Sequence, residues 1–390
     1  MLPEDRPGYR RLMPRPTLPL ELKSRLKPLQ RRVKEAGLDA ALLNLPLDLR
    51  YLTGFVGDDS WLLVPARGGA VILTDARFAE QVEREAPGTR AVIRKGLMAE
   101  AVAGVIGKRG YAKLGLQETG FTLEGKKRLK KGLRSGFRGA GRAPKLVAFE
   151  DGLASQRALK TPEEIEKIRA AGELQQRAFE EIVGGLAAGQ QESAVAGLLE
   201  YRMRERGADG AAFHTIVAAD ANAALPHAIP GPAKLRASGF VLIDWGARLD
   251  GYCADMTRVV ALRRFSRKMA DVYDAVLEAQ EAAIAAIAPG VRLRDVDKAA
   301  RDLLTARGYG EAFGHGLGHG LGLNVHEDPR LSPLAPKNGR LEVGHVVTVE
   351  PGVYLPGIGG VRIEDDVAVV EGGKDVLTTL PKQRSDAELG

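Results

Sequence analysis

The sequence predicts two domains of mixed composition: an α/β N-terminal domain around a mixed sheet, and an α+β C-terminal domain built from two related halves. Three observations carry this reading. Apolar runs alternate with helical patterns from Leu18 to about Phe149, a strongly signalled helix start stands at Thr161-Pro162-Glu163-Glu164, and a pattern of helix, glycine turn and helix recurs at constant offset in the remainder. A chain of 390 residues with 44% hydrophobic content has material for two cores.

Residues 1–17 are rich in Pro and Arg and are expected to form a flexible basic arm. In the N-terminal domain, residues 18–155, the runs Ala40-Ala41-Leu42-Leu43, Trp61-Leu62-Leu63-Val64 and Ala70-Val71-Ile72-Leu73 read as strands, and Phe78 to Ala86 reads as a helix. The second domain, 156–390, opens with the Thr161 segment. Its Thr can accept the free backbone N–H groups, its Pro fits the first helical position, and its two acids favour the positive end of the helix dipole. Further on, Ala188-Gly189, Val195, Leu198, Leu199 and Arg206-Gly207 recur as Pro289-Gly290, Val296, Ala299, Ala300 and Arg307-Gly308. Long helical patterns, Pro162 to Gly184 and Ser266 to Ile287, precede the two copies, and strand-like segments bearing acids and histidines follow them. Halves of this kind, facing each other, place a site between their sheets.

The formal charge of +7 raises the question of nucleic acid. Between Lys126 and Lys145 lie Lys127, Arg128, Lys130, Lys131, Arg134, Arg138 and Arg142 with no acid among them, but the only aromatic is Phe137. A solvated basic helix and loop explains this stretch, and nucleic acid is not the expected partner. The single cysteine, Cys253, excludes an intramolecular disulfide, and no apolar run is long enough to span a bilayer or to serve as a signal stretch. The cytoplasm is the default location, with no membrane partner.

Chemistry concentrates in a few segments. Phe240-Val241-Leu242-Ile243-Asp244 reads as a buried strand ending in a carboxylate, and Gly251 to Val260 as the returning strand bearing Asp255. Between them Leu249-Asp250-Gly251 supplies hairpin chemistry. A loop at Asp250-Gly251 sets Asp255 opposite Gly246, one same-face step from Asp244, whereas a loop at Leu249-Asp250 pairs the aspartates directly. Either register holds two carboxylates close enough to repel, and a cation between them removes the problem. Glu350 ends the apolar run Val346-Val347-Thr348-Val349, and Glu364 falls within Val361-Arg362-Ile363-Glu364, read as a buried strand. Buried acids without a partner point to pairing or to metal. The run Gly314-His315-Gly316-Leu317-Gly318-His319-Gly320 lets backbone pass close to a ligand, and His319 can supply an imidazole nitrogen. Four carboxylates balance two divalent ions. The oxygen-rich set without thiolate suits Mn²⁺, Co²⁺, Zn²⁺ or Fe²⁺ over Cu⁺. Two such ions lower the pKa of water and polarise a carbonyl, so hydrolysis is the expected reaction. His227, His315 and His326 are then available to donate to an oxyanion or to shuttle a proton, while His214 and His345 have no such company and read as structural.

These residues, in this order, resemble the creatinase/prolidase (pita-bread) metallopeptidases, and specifically the Xaa-Pro aminopeptidases and Xaa-Pro dipeptidases. Tyr51-Leu52-Thr53-Gly54-Phe55 and Thr74-Asp75-Ala76-Arg77-Phe78 look like the family's N-terminal domain, Leu159 to Ile165 like the junction, and the rest like the catalytic domain with its pseudo-twofold repeat. The resemblance implies that Asp244, Asp255, His319, Glu350 and Glu364 hold two metal ions, Mn²⁺ or Co²⁺ in the first place. It further implies that Glu350 is also the acid/base, that His227, His315 and His326 line the substrate site, and that Arg362 contacts substrate. A peptide with proline at its second position is the implied substrate, and a homodimer the implied assembly. The intact metal positions argue against a catalytically idle scaffold that binds protein or nucleic acid, while a related amide or ester hydrolase stays open. Ala219-Asp220 departs from the Ser-Gly or similar pair that the family often carries before Pro226-His227.

Overall fold

The computed structural model describes residues 20–137 and 142–390, so the expected basic arm and Arg138 of the basic stretch lie outside the described residues. The chain divides into two compact units between Leu153 and Ala154.

The first unit is a six-stranded sheet with helices. Its strands are β1 (Ala40–Leu43), β2 (Trp61–Pro65), β3 (Val71–Asp75), β4 (Arg90–Arg94), β5 (Lys113–Gln117) and β6 (Lys145–Phe149), in the order β4-β3-β2-β1-β5-β6. The sheet is mixed as expected: β2 runs antiparallel to β1 and β3, and the remaining pairs are parallel. Its helices are α1 (Leu20–Glu35), α2 (Pro46–Thr53), α3 (Ala79–Glu85), α4 (Met98–Gly107) and α5 (Leu123–Gly136). The last two pack through a small-residue seam, since a Cβ on Gly132 or Gly136 would meet Ala99 or Ala103 at 2.4 or 2.8 Å. Leu129 and Leu133 of α5 are buried on the same side, which leaves Lys127, Arg128, Lys130, Lys131 and Arg134 facing water.

The second unit contains the repeat. After α6 (Leu153–Ala158), α7 (Pro162–Val183) starts where the sequence predicts: Thr161 Oγ1 accepts from Glu164 N, and the Glu164 carboxylate accepts from Thr161 N. The first half continues with α8 (Glu192–Glu205), β7 (Gly210–Ala211), β8 (Ile216–Ala219), β9 (Phe240–Trp245), β10 (Ala247–Leu249), β11 (Tyr252–Cys253) and β12 (Met256–Ala261). The second half consists of α9 (Arg267–Ala286), α10 (Leu293–Ala306), β13 (Gly318–Gly320), β14 (Glu327–Leu331), β15 (Val346–Val349), β16 (Gly352–Leu355), β17 (Gly359–Arg362), β18 (Asp365–Val370) and β19 (Gly373–Val376). Helices α8 and α10 each have 14 residues and each ends before a glycine at positive φ, Gly207 at +101° and Gly308 at +81°. The turns ahead of them match bond for bond: Gly189 N donates to Leu235 O and Leu235 N to Gln190 O, while Gly290 N donates to Leu341 O and Leu341 N to Val291 O. The halves therefore share backbone chemistry as well as helical pattern.

Each half owns a sheet. The first runs β12-β9-β8, the second β14-β13-β15-β18-β19, and an isolated bridge between Thr257 and Glu364 joins them. Strand β9 is buried along its whole length, with Trp245 stacked on Phe179 of α7 at 4.5 Å between ring centres. The hairpin after it adopts the first of the two expected registers. Arg248 pairs with Cys253 and Leu249 with Tyr252, so the loop is Asp250-Gly251, with φ of +48° and +79°. Met256 then pairs with Trp245 and Thr257 with Asp244, which leaves Asp255 opposite Gly246 and diagonal to Asp244.

Glu364 departs from expectation. It lies between two strands rather than within one, because the chain changes partner there: β17 pairs with β16, and β18 pairs with β15. The glycine-rich run behaves as its composition requires. A Cβ on Gly318 would lie 2.0 Å from Thr348 O and one on Gly320 2.0 Å from Asp328 O, whereas one on Gly314 meets nothing within 4 Å. Gly318→Ala is accordingly expected to cost about 1–3 kcal/mol by overpacking, read as a lower urea midpoint, with Gly314→Ala leaving the midpoint unchanged.

Candidate metal centre

Strand ends and the joining bridge bring the acids together. Asp244 comes from β9, Asp255 from the segment before β12, His319 from β13, Glu350 from the end of β15 and Glu364 from the bridge. Ligand atoms of Asp255, His319 and Glu364 all lie within 4.8 Å of one another. His319 Nε2 stands 3.3 Å from Glu350 Oε1 and 3.8 Å from Asp255 Oδ2. Asp244, Asp255, His319 and Glu364 are buried, while the Glu350 side chain is 17% exposed.

The charges in this cluster are poorly matched by protein cations. Burial pushes Asp255 well above the usual carboxylate range, and the Glu364 and Asp244 charges push it further. Glu364 is raised in the same way by burial, Glu350 and Asp244. Burial lifts Glu350 to about 7, against the pull of Arg362. Among the described residues one cation bonds to these acids: Arg362 donates through Nη2 to Asp244 Oδ2, through Nε to Thr257 Oγ1 at 3.1 Å, and through Nη1 to Tyr354 Oη at 2.7 Å. Hydroxyls aim two of the acids, with Thr257 Oγ1 donating to Glu364 Oε2 at 2.6 Å and Thr348 Oγ1 to Glu350 Oε1 at 3.1 Å.

The residues fit divalent metal on two observations. First, among the described residues buried Asp244 Oδ1 and Asp255 Oδ1 have no hydrogen-bond partner, which is costly for an acceptor unless a cation faces it. Second, His319 Nδ1 lies 3.0 Å from the Gly320 carbonyl. A carbonyl only accepts, so Nδ1 carries the proton and Nε2 turns its lone pair toward the carboxylates. Burial holds the ring neutral, with its pKa down to about 3. A lone pair facing carboxylate oxygens is repulsive unless a positive ion lies between them. Cys253, buried and with its thiol pushed up by burial, adds no thiolate to the set.

A neighbouring buried acid shows the contrast. Asp365, next to Glu364, accepts from Arg258, Lys382, Gln280 and Thr378, and stays below the usual carboxylate range because those cations outweigh its burial. It is an acid satisfied by protein. Arg258 also donates to the Glu364 carbonyl at 2.7 Å, so this pair anchors the bridge that presents Glu364.

A cavity of about 760 Å³ opens above the acids, and all nine site residues expected from the sequence line it. His227 and His326 are exposed at its mouth. His315 is half-buried with both ring nitrogens engaged, Nδ1 at 2.8 Å from Gly316 O and Nε2 at 3.1 Å from Tyr354 Oη. His326 stands edge-on to His319 at 4.4 Å between ring centres. Residues not singled out in the sequence also line the cavity: Tyr354, Arg330 and His214, the last read there as structural. Tyr354 lies two residues beyond Glu350-Pro351-Gly352 on β16, and the two-residue spacing of Arg362 and Glu364 is the sequence signal for the cluster it joins. His345 is buried, and its Nδ1 accepts from Glu342 N outside the cavity. The departure at Ala219-Asp220 has a local explanation. Asp220 sits at φ +50°, a conformation that Asp tolerates, and its carboxylate accepts from Phe240 N and Arg236 Nε.

Comparison with known proteins agrees with this geometry. Residues 166–371 match the model of metallopeptidase family M24, and residues 25–158 match that of the creatinase/prolidase N-terminal domain. The uncharacterized peptidase YqhT of Bacillus subtilis is 34% identical over 92% of this chain and 99% of its own length. Among solved structures, an Xaa-Pro dipeptidase from Bacillus anthracis superposes with a TM-score of 0.87 at 35% identity, covering 93% of this chain and 99% of the other. An X-Pro aminopeptidase from Thermotoga maritima does so at 0.82 and 36%, covering 90% and 99%. With these matches and a buried Asp, His and Glu group able to hold metal, the chain belongs to metallopeptidase family M24, a peptidase with a creatinase/prolidase N-terminal domain ahead of a pita-bread domain.

Proposed function

We propose that this protein is a cytoplasmic, dinuclear exopeptidase that hydrolyses the N-terminal Xaa-Pro bond of peptides, acts as a homodimer, and uses Mn²⁺ or Co²⁺, with Zn²⁺ or Fe²⁺ as alternatives. The observation that carries this reading is the convergence of Asp244, Asp255, His319, Glu350 and Glu364 with two orphaned buried carboxylate oxygens. Divalent ions held by these side chains would lower the pKa of water and polarise the scissile carbonyl.

The chain's own residues handle the rest. Glu350, the most exposed of the four acids and aimed by Thr348, takes a proton from the attacking water and delivers it to the prolyl nitrogen. His227 and His326, exposed at the cavity mouth, donate N–H groups to the oxyanion. His315 acts at one remove, since it holds Tyr354, which in turn accepts from Arg362. An Xaa-Pro amide lacks an N–H and has a restricted shape, so a fitted cavity can prefer it. The solved relatives named for Xaa-Pro substrates support that preference.

Arg330 favours a dipeptide over a longer chain. It is exposed, lines the cavity, and among the described residues forms no ion pair, so it offers a cation to the free carboxylate of a bound Xaa-Pro.

Three outcomes test this reading. After chelation, Mn²⁺ or Co²⁺ should restore cleavage of Xaa-Pro, Asp255→Ala should abolish the restored activity, and His326→Ala should cost roughly 10²–10³ in kcat; absence of metal-restored cleavage in the wild type ends the proposal. Arg330→Ala should raise KM for Xaa-Pro by roughly tenfold, the worth of one exposed charge-assisted contact, with Xaa-Pro-Xaa unaffected, whereas equal losses on both substrates would refute the dipeptide reading. The third concerns pH. Carboxyls whose folded pKa is raised bind protons more tightly folded than unfolded, so their contribution to stability fades as pH rises through the folded value, about 7 for Glu350. Chelated protein is expected to lose thermal stability from pH 6 to pH 8, with Mn²⁺ raising the melting temperature more at pH 8 than at pH 6. A metal-induced shift independent of pH would contradict this.

A further inference from the structure

We propose that Glu192 is the positioning residue for His227, a role that rests on the function proposed for that histidine. Glu192 opens α8, is 1% exposed, and does not line the cavity. Its carboxylate accepts three hydrogen bonds: Oε1 from Ala219 N at 2.7 Å and from Asn222 Nδ2 at 2.9 Å, and Oε2 from Gly231 N at 3.1 Å. Those donors stand at both ends of the segment 219–231, which carries Pro226 and His227. Among the described residues no Lys or Arg pairs with Glu192, so the charge is answered by these N–H groups alone, and they by it.

The stretch around His227 has few other ties. The first end of the segment is also held by Asp220, whose carboxylate accepts from Phe240 N and Arg236 Nε, and by Ala219 pairing with Val241, but these stop short of Pro226 and His227. Leu225 is 61% exposed and Ile229 is 89% exposed, so apolar burial contributes little around His227, where only the small side chains of Ala223 and Ala228 are buried. Within the segment, Leu225 N donates to Asn222 O and Ala228 N to Leu225 O, bonds that shape a turn without tying it to the body. The tie on the cavity side is a long one, Arg362 Nη1 to Pro226 O at 3.4 Å. Ser193 N donates to Gly231 O beside Glu192 and strengthens only that end. Release of the carboxylate would therefore let the imidazole wander while leaving the acids in place.

The second half of the repeat contains a counterpart. Asp297 of α10, 2% exposed, accepts from Leu317 N at 3.1 Å and pairs with Arg301, whose guanidinium donates to Phe313 O at 3.0 Å and His315 O at 2.8 Å. In both halves a buried acid on the second helix secures the segment bearing a cavity histidine. Glu192 does so without an arginine, which makes its two oxygens irreplaceable. Glu192→Gln keeps the volume but turns one oxygen into an NH₂ group, and in either orientation that group faces an N–H donor.

The experiment uses the full chain. In the metal-loaded protein, Glu192→Gln should lower kcat/KM for Xaa-Pro by about tenfold or more, but by less than about twofold in a His227→Ala background, because coupled residues are not additive. In the metal-free protein, hydrogen exchange followed by mass spectrometry should accelerate within 219–231 and not in β9 or β15. Equal losses in both backgrounds, or unchanged exchange in 219–231, would overturn the assignment. If Glu192→Gln does not fold, Asn222→Ala, which removes one donor, should shift exchange in the same segment, and no shift would overturn it equally. Should the wild type not cleave Xaa-Pro, the exchange arm still decides the matter for Glu192, and the functional reading fails on its own.

Discussion

Asp244, Asp255, Glu350 and Glu364 carry like charge into a space largely stripped of water, and the second unit is arranged around that constraint. Two unit charges 4 Å apart interact by about 4 kcal/mol at the effective dielectric of a protein near its surface, a large share of the roughly 5–15 kcal/mol by which a folded protein is stable. Arg362 neutralises part of this by pairing with Asp244. The rest is met by protonation, which is the meaning of the raised values at Asp255, Glu350 and Glu364, or by cations, which reverse them. Asp365 shows that the fold can satisfy a buried acid fully when nothing else is to be bound. It receives Arg258, Lys382, Gln280 and Thr378, while Asp244 and Asp255 each keep an oxygen with no partner among the described residues.

The internal repeat explains how residues scattered along the chain reach one place. The offset that carries Leu235 to Leu341, the residues paired with the two glycine turns, also carries Phe240 to Val346 and Asp244 to Glu350. Equivalent strands β9 and β15 thus end in equivalent carboxylates, and the Thr257 to Glu364 bridge sews the two sheets together at that level. Close approach of backbone at Gly246, Gly318 and Gly320 leaves no room for a Cβ. The cluster of four acids and His319 is therefore a property of the seam between halves.

What could be read from the sequence follows from which physical signals are local. Strand ends, the Asp250-Gly251 turn and the glycine-flanked histidines are short-range features, and the turn register decided how Asp255 faces Asp244. Signals that depend on which element packs against which were not available. Arg258 and Asp365 sit beside site residues but face another partner set, and their pairing spans 107 positions. Glu192 reads in sequence as an ordinary acid at a helix start, favourable to the dipole, and only the fold reveals that its side chain turns inward to a distant segment. His214 lacks neighbouring glycine or acid, so nothing marked it for the cavity. Glu364 was expected within a strand because apolar neighbours do not disclose a change of sheet partner.

Three of the histidines that line the cavity, His227, His315 and His326, differ in freedom. His315 spends one nitrogen on the Gly316 carbonyl and the other on Tyr354, so it has no donor left for a substrate. Its effect passes through Tyr354 to Arg362, and through Arg362 to Asp244. His227 and His326 are exposed and stand at the mouth, on segments anchored by buried carboxylates: Glu192 for the first, and for the second Glu327, which accepts from Lys160, Arg157 and Asn324 N. In the function proposed above, the buried acids below would hold charge in place and the exposed imidazoles above would meet it as it develops on a substrate. Such a division would need the upper layer to be placed by groups that never touch the reacting atoms, and buried acids such as Glu192, bonded to both ends of the segment that carries His227, fit that need.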